Sequence, residues 1–228
     1  MVGGRTRDGG AGSPVLLYDL IAPGYDLFLR PFYRPFRERA FGHLPERAGG
    51  SALDLACGTG QNFPYLARSL GRQGTLVGLD LSSGMLRRAR RALARCHNLE
   101  GFLLRHDAGA ISADLLEQQT RLRAVDLVVC AFGFSAMRDW ESAFHRSFEL
   151  LKPGGVYLIL DVHAPKATLH VRAVESFTRS KFRHETWRYL EQRCPDFKLE
   201  YLDPSSYLFG GRVFAAFGTR PLARLRSG

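Results

Sequence analysis

The chain has 228 residues, 45% of them hydrophobic and 24% charged, which is enough for one sizeable core and too little for two ordinary domains. No apolar run approaches the roughly 18 residues of a membrane-spanning helix, and four scattered cysteines (Cys57, Cys96, Cys130, Cys194) without a CxxC pair argue against a zinc site or a disulfide framework. Thirty-two Lys and Arg against 22 Asp and Glu give a net charge of +10, a bias toward nucleic acid, acidic lipid or an acidic substrate.

Residues 1–13 are glycine-rich, lack the apolar stretch of a signal peptide and read as a loose tail, which predicts a cytoplasmic protein. Val15–Leu44 mixes aromatic, apolar and arginine residues and reads as helical, with breaks at Pro23, Pro31 and Pro35, before a loop at Pro45–Gly50. From Ser51 onward, short apolar runs alternate with helical stretches, the pattern of an α/β protein whose parallel sheet is covered on both faces. The strands are expected at Ala52–Leu55, Leu76–Asp80, Phe102–His106, Leu127–Cys130 and Val156–Asp161. The helices are expected at Asn62–Ser69, Ser83–Cys96, Ala110–Gln119 and Trp140–Leu151, followed by a helix-rich stretch from Ala167 to Arg193. A late hairpin, Lys198–Leu202 with Val213–Gly218, adds an antiparallel strand to the sheet, and Arg220–Gly228 reads as a basic tail.

The chemistry concentrates in Ser51–Ala67. An apolar strand containing Asp54 runs into the turn Cys57-Gly58-Thr59-Gly60, and a helix follows. Glycines at 58 and 60 allow a sharp bend and close approach of a ligand, and the amides opening the helix face that ligand. Twenty residues after Gly60 a second strand ends in Asp80, which can accept from both hydroxyls of a ribose seated over the turn. A third strand ends in His106-Asp107, where Asp107 can accept from an adenine amino group. Three acidic residues thus converge on one crevice at the switch point of the sheet. A nicotinamide-type GxGxxG turn is disfavoured, because Phe63 stands where the third glycine would be. Asp54, four residues before Gly58, would also repel a pyrophosphate, whereas it suits a ligand bearing an amino group and a sulfonium.

These segments resemble class I S-adenosylmethionine-dependent methyltransferases. Asp54-Leu55-Ala56-Cys57-Gly58-Thr59-Gly60 is similar to their first motif, with Ala56 in a slot often held by glycine, and Gly78-Leu79-Asp80-Leu81-Ser82 to their ribose-binding motif. Arg105-His106-Asp107-Ala108 resembles the adenine loop, and Leu150-Leu151-Lys152-Pro153-Gly154-Gly155 the turn before their fifth strand. The resemblance implies a Rossmann-like fold with a mostly parallel seven-stranded sheet. It also implies S-adenosylmethionine as cofactor and S-adenosylhomocysteine as product. Asp54 and the backbone of Ala56, Cys57, Gly58, Thr59 and Gly60 would hold the methionine portion, Asp80 the ribose and Asp107 the adenine amino group. Leu81, Met85 and Ala108 would pack the adenine ring, and Ala131 and Phe132 would line the pocket near the sulfonium. No metal is implied.

Tyr18-Asp19-Leu20-Ile21-Ala22-Pro23-Gly24-Tyr25-Asp26 resembles the opening segment of methyltransferases acting on quinone precursors and phospholipid amines, which folds over the cofactor as a lid; Tyr18 and Tyr25 are carried over as cofactor contacts. The chain then divides into a tail (1–13), a helical lid (14–50), a methyltransferase domain (51–219) whose residues 168–209 form an acceptor-side cap, and a basic tail (220–228). The Asn/Asp-Pro-Pro-aromatic motif of base N-methylating enzymes is absent after the fourth strand. Asp161 and His163, at the end of the fifth, are the candidates for a catalytic base. The expected acceptor is a small or lipid-like molecule, a phospholipid amine or a quinone precursor. Phe28, Phe32, Tyr33, Phe36 and Phe41 interleave with Arg30, Arg34, Arg37 and Arg39, a mixture suited to the surface of an anionic membrane. A basic cap that includes Arg179, Arg183, His184 and Trp187 suits an anionic group on the acceptor. RNA methylation is supported by charge alone, and a noncatalytic cofactor-binding role is opposed by the three intact acidic residues.

Overall fold

In a computed structural model, which describes residues 32–97, 99–166, 168–178, 180–202 and 211–222, the first strand, β1 (Ser51–Leu55), is buried along its whole length. It lies at the centre of a seven-stranded sheet with β2 (Thr75–Asp80), β3 (Glu100–Arg105), β4 (Val125–Ala131), β5 (Leu151–His163), β6 (Lys198–Tyr201) and β7 (Arg212–Thr219), in the order β3-β2-β1-β4-β5-β7-β6. The first five strands are parallel, which is why they read as near-continuous apolar runs. β7 is antiparallel to both neighbours, so the last strand in the sequence is inserted between β5 and β6.

Helices cover both faces. On one lie α1 (residues 32–41), α2 (Phe63–Leu70) and α3 (Ser83–Leu93), packed through Phe41, Phe63, Leu66, Leu70 and Ala89, together with α6 (Leu169–Thr178) through Val171. On the other lie α4 (Ala113–Thr120), α5 (Trp140–Glu149) and α7 (Arg188–Arg193), packed through Leu116, Trp140, Phe144 and Leu190. Chain direction reverses its lateral course after β3, and β4 returns to the far side of β1. This opens a crevice beyond the carboxyl ends of β1 and β4.

Several boundaries differ from the sequence expectation for local reasons. α3 ends at Leu93, not Cys96, where the Arg95 and Cys96 amides turn back to the Ala92 and Leu93 carbonyls. A 3-10 turn, Ala108–Ala110, precedes α4, which starts only after Ser112 accepts from the Leu115 amide as its N-cap. The expected turn at Leu151–Gly155 belongs to β5, with a register shift opposite Val125 and Leu127 and a left-handed Gly154 (φ 77°). Arg220, expected in a loose tail, donates from its guanidinium to the carbonyls of Phe148 and Glu149 at the end of α5. Among the described residues, no helix is long and apolar enough to cross a membrane.

Phe144 is fully buried, with ring centroids of Phe148, Tyr157 and Tyr189 at 5.6, 5.1 and 5.7 Å. Phe144→Ala is expected to cost about 3–5 kcal/mol in urea denaturation. A loss below about 1 kcal/mol would show that this cluster does not hold α5 to the sheet.

Candidate active site

The loop leaving β1 carries backbone that few side chains tolerate. Ala56 has φ 49°, Gly58 φ 55° and Gly60 φ 82°. Ala56 pays for its left-handed backbone because it has a Cβ, which gives the physical reason for the glycine often found in that slot. A Cβ on Gly60 would come within 2.7 Å of the Phe63 ring and 2.9 Å of the Ala92 Cβ, so this glycine is needed for packing as well as for its φ. At Gly58 the nearest atom to such a Cβ would be the Ala56 carbonyl oxygen at 4.0 Å, leaving open space over the turn. The turn closes through Cys57 N to Leu79 O at 3.0 Å and Gly60 N to Cys57 O at 2.9 Å.

Strand register then brings two carboxylates to this turn. Asp54 pairs across the sheet with Gly78, and Asp80 ends β2. The Gly58 amide donates to Asp80 Oδ2 at 2.8 Å and the Ser82 amide to Oδ1 at 2.8 Å, which fixes the carboxylate at the rim of the crevice. Asp54 is completely buried; Asn62 Nδ2 donates to both of its oxygens, at 2.9 and 3.2 Å. Asn62 Oδ1 in turn accepts from Arg37 Nε at 2.9 Å, so a buried chain Arg37–Asn62–Asp54 links α1 to the turn. Burial pushes the Asp54 carboxyl up to about 7, opposed by the Asn62 hydrogen bonds and the Arg37 charge. Burial, with Asp54 and Asp80 nearby, pushes the Cys57 thiol well above its ordinary range, so it stays protonated.

Around this centre, Leu81 is 46% exposed, too open for a core side chain, whereas Met85 and Ala108 are buried. Ser82 caps α3, its Oγ accepting from the Met85 amide. Asp107 is exposed at the end of β3, and its Oδ1 accepts from the Gly109 amide as N-cap of the 3-10 turn. Across the crevice, Ala131 is buried and Phe132 adopts a left-handed backbone (φ 56°), a strained state for a bulky residue. Tyr33 lies 4.4 Å from the Phe132 ring centroid, and the Arg37 guanidinium stands over the same ring at 5.1 Å. Gly133 brings the two loops together, since a Cβ there would meet Ala56 Cβ at 2.9 Å.

Asp161 and His163 lie elsewhere. Register through β4 puts Leu158, Leu160 and Val162 on the Asp54 face of the sheet, so alternation turns Asp161 and His163 to the other face. Asp161 is 1% exposed; it accepts from Ser135 N, Ser135 Oγ and Val162 N at 2.9, 2.7 and 2.8 Å, and so clamps the turn after β4 instead of facing a reactant. The chain around 180–187 covers this strand end, with Lys181 N donating to Ser135 O and Ala164 N to Phe182 O. His163 packs edge-on against Trp187 at 4.8 Å, its Nδ1 is 3.3 Å from the Tyr201 hydroxyl, and burial lowers its pKa. Trp187 is buried and Arg188 pairs with Glu185, while Lys181 and Arg183 of the expected cap are exposed.

Tyr18, Tyr25, Phe28, Arg30 and Arg179 lie outside the described residues. Sequence reading missed Asn62 and Arg37. Asn62 is eight residues beyond Asp54 at the mouth of α2, a position readable as a helix start but not as a carboxylate partner, and Arg37 meets it only through tertiary packing.

A methyltransferase-domain family model matches residues 53–157. The chain is 30% identical over 165 residues to a 2-phytyl-1,4-naphtoquinone methyltransferase of Thermosynechococcus vestitus, covering 71% of this chain and 68% of that protein. It is 30% identical over 153 residues to a demethylmenaquinone methyltransferase of Lactobacillus johnsonii, covering 65% of this chain and 60% of that one, so it spans less than two thirds of that relative's length. Phosphoethanolamine N-methyltransferase 2 of Haemonchus contortus, solved with S-adenosyl-L-methionine, aligns with a TM-score of 0.66 at 16% identity, covering 93% of this chain and 61% of that one, and at such identity the likeness is one of fold.

Folded, Asp54 titrates near 7 and Asp161 near 6, both above the ordinary carboxylate value of 3.8. The folded chain therefore holds more protons than the unfolded chain between about pH 4 and 7, and these two groups make stability fall as pH rises through that window. Asp54→Asn is expected to flatten the fall in urea midpoint between pH 5 and 8, leaving the part due to Asp161. An unaltered slope would mean that Asp54 is not the buried carboxylate responsible.

Proposed function

Since the chain belongs to the class I S-adenosylmethionine-dependent methyltransferases, we propose that it methylates a small, apolar aromatic acceptor of the quinone-precursor type. The observation that carries the cofactor assignment is the meeting of Asp54 and Asp80 at a glycine turn with open space above it. Bound there, S-adenosylmethionine supplies an electrophilic methyl group on a cationic sulfur.

The chain's own residues divide the work. Asp54 would hold the amino group of the methionine portion, with Asn62 and Arg37 positioning it. Asp80, already oriented by the Gly58 and Ser82 amides, would hold the ribose, and Asp107 the adenine amino group. Exposed Leu81, with Met85 and Ala108 beneath, forms an apolar seat for the adenine ring. Ala131 and Phe132 line the acceptor side, where the aromatic face of Phe132 favours both a sulfonium and a flat apolar acceptor. Tyr18 and Tyr25, which lie outside the described residues, would add cofactor contacts by the resemblance of the N-terminal segment. Methyl transfer demands in-line approach in a dry site more than a strong base, and rigid loops after β1 and β4 meet that demand. His163 and Asp161 face the other side of the sheet, so a proton released by the acceptor would pass to water.

The quinone-type acceptor is supported by the 30% identity to naphthoquinone and menaquinone methyltransferases. Incubation of the chain with methyl-labelled cofactor and either demethylated menaquinone precursor or phosphoethanolamine separates the acceptor classes; label in the amine and not in the quinone would reject the proposal. Asp80→Ala is expected to weaken cofactor affinity by roughly a hundredfold or more in calorimetry while circular dichroism stays native. Unchanged affinity would remove Asp80 from the site. Because the amino group calls for ionised Asp54, affinity in the wild-type chain should fall about tenfold per pH unit below 7 and level off above it; a flat profile would contradict that role.

A further inference from the structure

The α2–α3 part of one helical layer differs from the rest of the molecule in how it treats its arginines, since α1 beside it pairs Arg34 with Glu38 and Arg39 with Glu200. On the α4–α5–α7 side, Arg123 pairs with Asp114 and Glu117, and Arg188 pairs with Glu185. Residues 62–97, which hold α2, α3 and β2, contain seven arginines against one carboxylate, Asp80, and that carboxylate is engaged at the cofactor turn. Among the described residues, none of the ion pairs uses an arginine of α2 or α3.

Within α3 and its exit the arginines form a stripe. Arg87, Arg91 and Arg95 recur every four residues with Arg90 beside them, and all four are exposed, while Met85 and Ala89 point into the core. A stripe of this density on a helix without Asp or Glu is a local concentration of positive charge, and among the described residues no ion pair engages it. Closer to α1 the same layer holds a cavity of about 300 Å³ lined by Arg34, Arg37 and Arg68, with Glu38 beside Arg34. The layer also borders the crevice: Ser82, which caps α3, bonds through its amide to Asp80, and Leu81 between them is 46% exposed; Phe32, at the described start of α1, is 59% exposed.

We propose that the α2–α3 face docks this protein on an anionic phospholipid membrane, with Arg87, Arg90, Arg91 and Arg95 against the headgroup phosphates. Charge complementarity favours that partner: each basic residue at such a surface is worth about tenfold or less in partitioning. A single-stranded nucleic acid is the weaker match, because the stripe has no aromatic side chain on which a base would stack. Docking by this face also differs from docking by the aromatic and basic N-terminal segment expected from sequence. In α1 Phe41 is buried, Tyr33 stacks on Phe132, and Arg37 is buried and bonded to Asn62, while Phe32, Arg34 and Arg39 stay exposed; Phe28 and Arg30 lie outside the described residues. The charge argument does not rest on the acceptor proposed above, although a membrane would be the natural source of an apolar acceptor.

The test is sedimentation of the full chain with phosphatidylcholine vesicles with and without phosphatidylglycerol. Binding is expected only to the anionic vesicles and is lost in high salt. The variant with Arg90→Gln, Arg91→Gln and Arg95→Gln should bind them roughly a hundredfold more weakly, and replacing the same three arginines by Lys should keep binding within a few-fold. Cofactor affinity measured by calorimetry is expected to be unchanged in both variants, which separates this proposal from the cofactor assignment and shows that the variants fold. Equal sedimentation of the Gln variant and wild type, or no binding of wild type to anionic vesicles at low salt, would overturn the proposal. So would tighter, arginine-dependent binding to single-stranded RNA than to vesicles.

Discussion

A carboxylate with no solvent around it is the constraint from which the rest of this site follows. Asp54 sits inside the sheet, and hydrogen bonds from Asn62 and the nearby Arg37 charge only partly offset the cost of its ionisation. In the proposed role, a ligand with a cationic amino group would offset that cost and bind more tightly for it. The glycine bend beside the carboxylate keeps the space over Gly58 open, the Ala56 carbonyl oxygen at 4.0 Å being the nearest atom to the place of a Cβ.

α1 is tied into both halves of the crevice. Arg37 reaches Asn62 beside the β1 turn and covers Phe132 after β4, while Tyr33 stacks on the same ring. A displacement of this helix would change the surroundings of Asp54 and uncover Phe132 together. Phe132 itself is held in a backbone state that a bulky residue seldom adopts, anchored by its amide to the Leu160 carbonyl. Strain of that kind persists only where neighbours over-determine it, and the Ala56–Gly133 contact and the Asp161 clamp on Ser135 are those neighbours.

The elements with strong local signals were legible from sequence: apolar runs bounded by glycine, acidic residues at strand ends, and the turn between β1 and α2. Their order and the Rossmann-like sheet follow from that alternation. Boundaries drifted where a cap or a long-range hydrogen bond decides: Ser112 caps α4 locally, whereas at Gly154 and Arg220 the partners are distant in sequence. Asp161 and His163 looked suitable for catalysis because they end a strand at the crevice. Alternation along β5, counted from its register with β4, turns them away from Asp54, and that register is not contained in either strand alone. Arg37 was invisible for a related reason: its partner lies 25 residues downstream, and no periodicity links them.

The insertion of β7 between β5 and β6 has a consequence for biosynthesis. Until Arg212–Thr219 has left the ribosome, β5 has a bare edge opposite β4, with its outer row of amides and carbonyls unpaired over Val156–His163. The nascent chain carries that adhesive rim from the completion of β5 at His163 until β7 is made, which invites pairing with other emerging chains or capture by a chaperone.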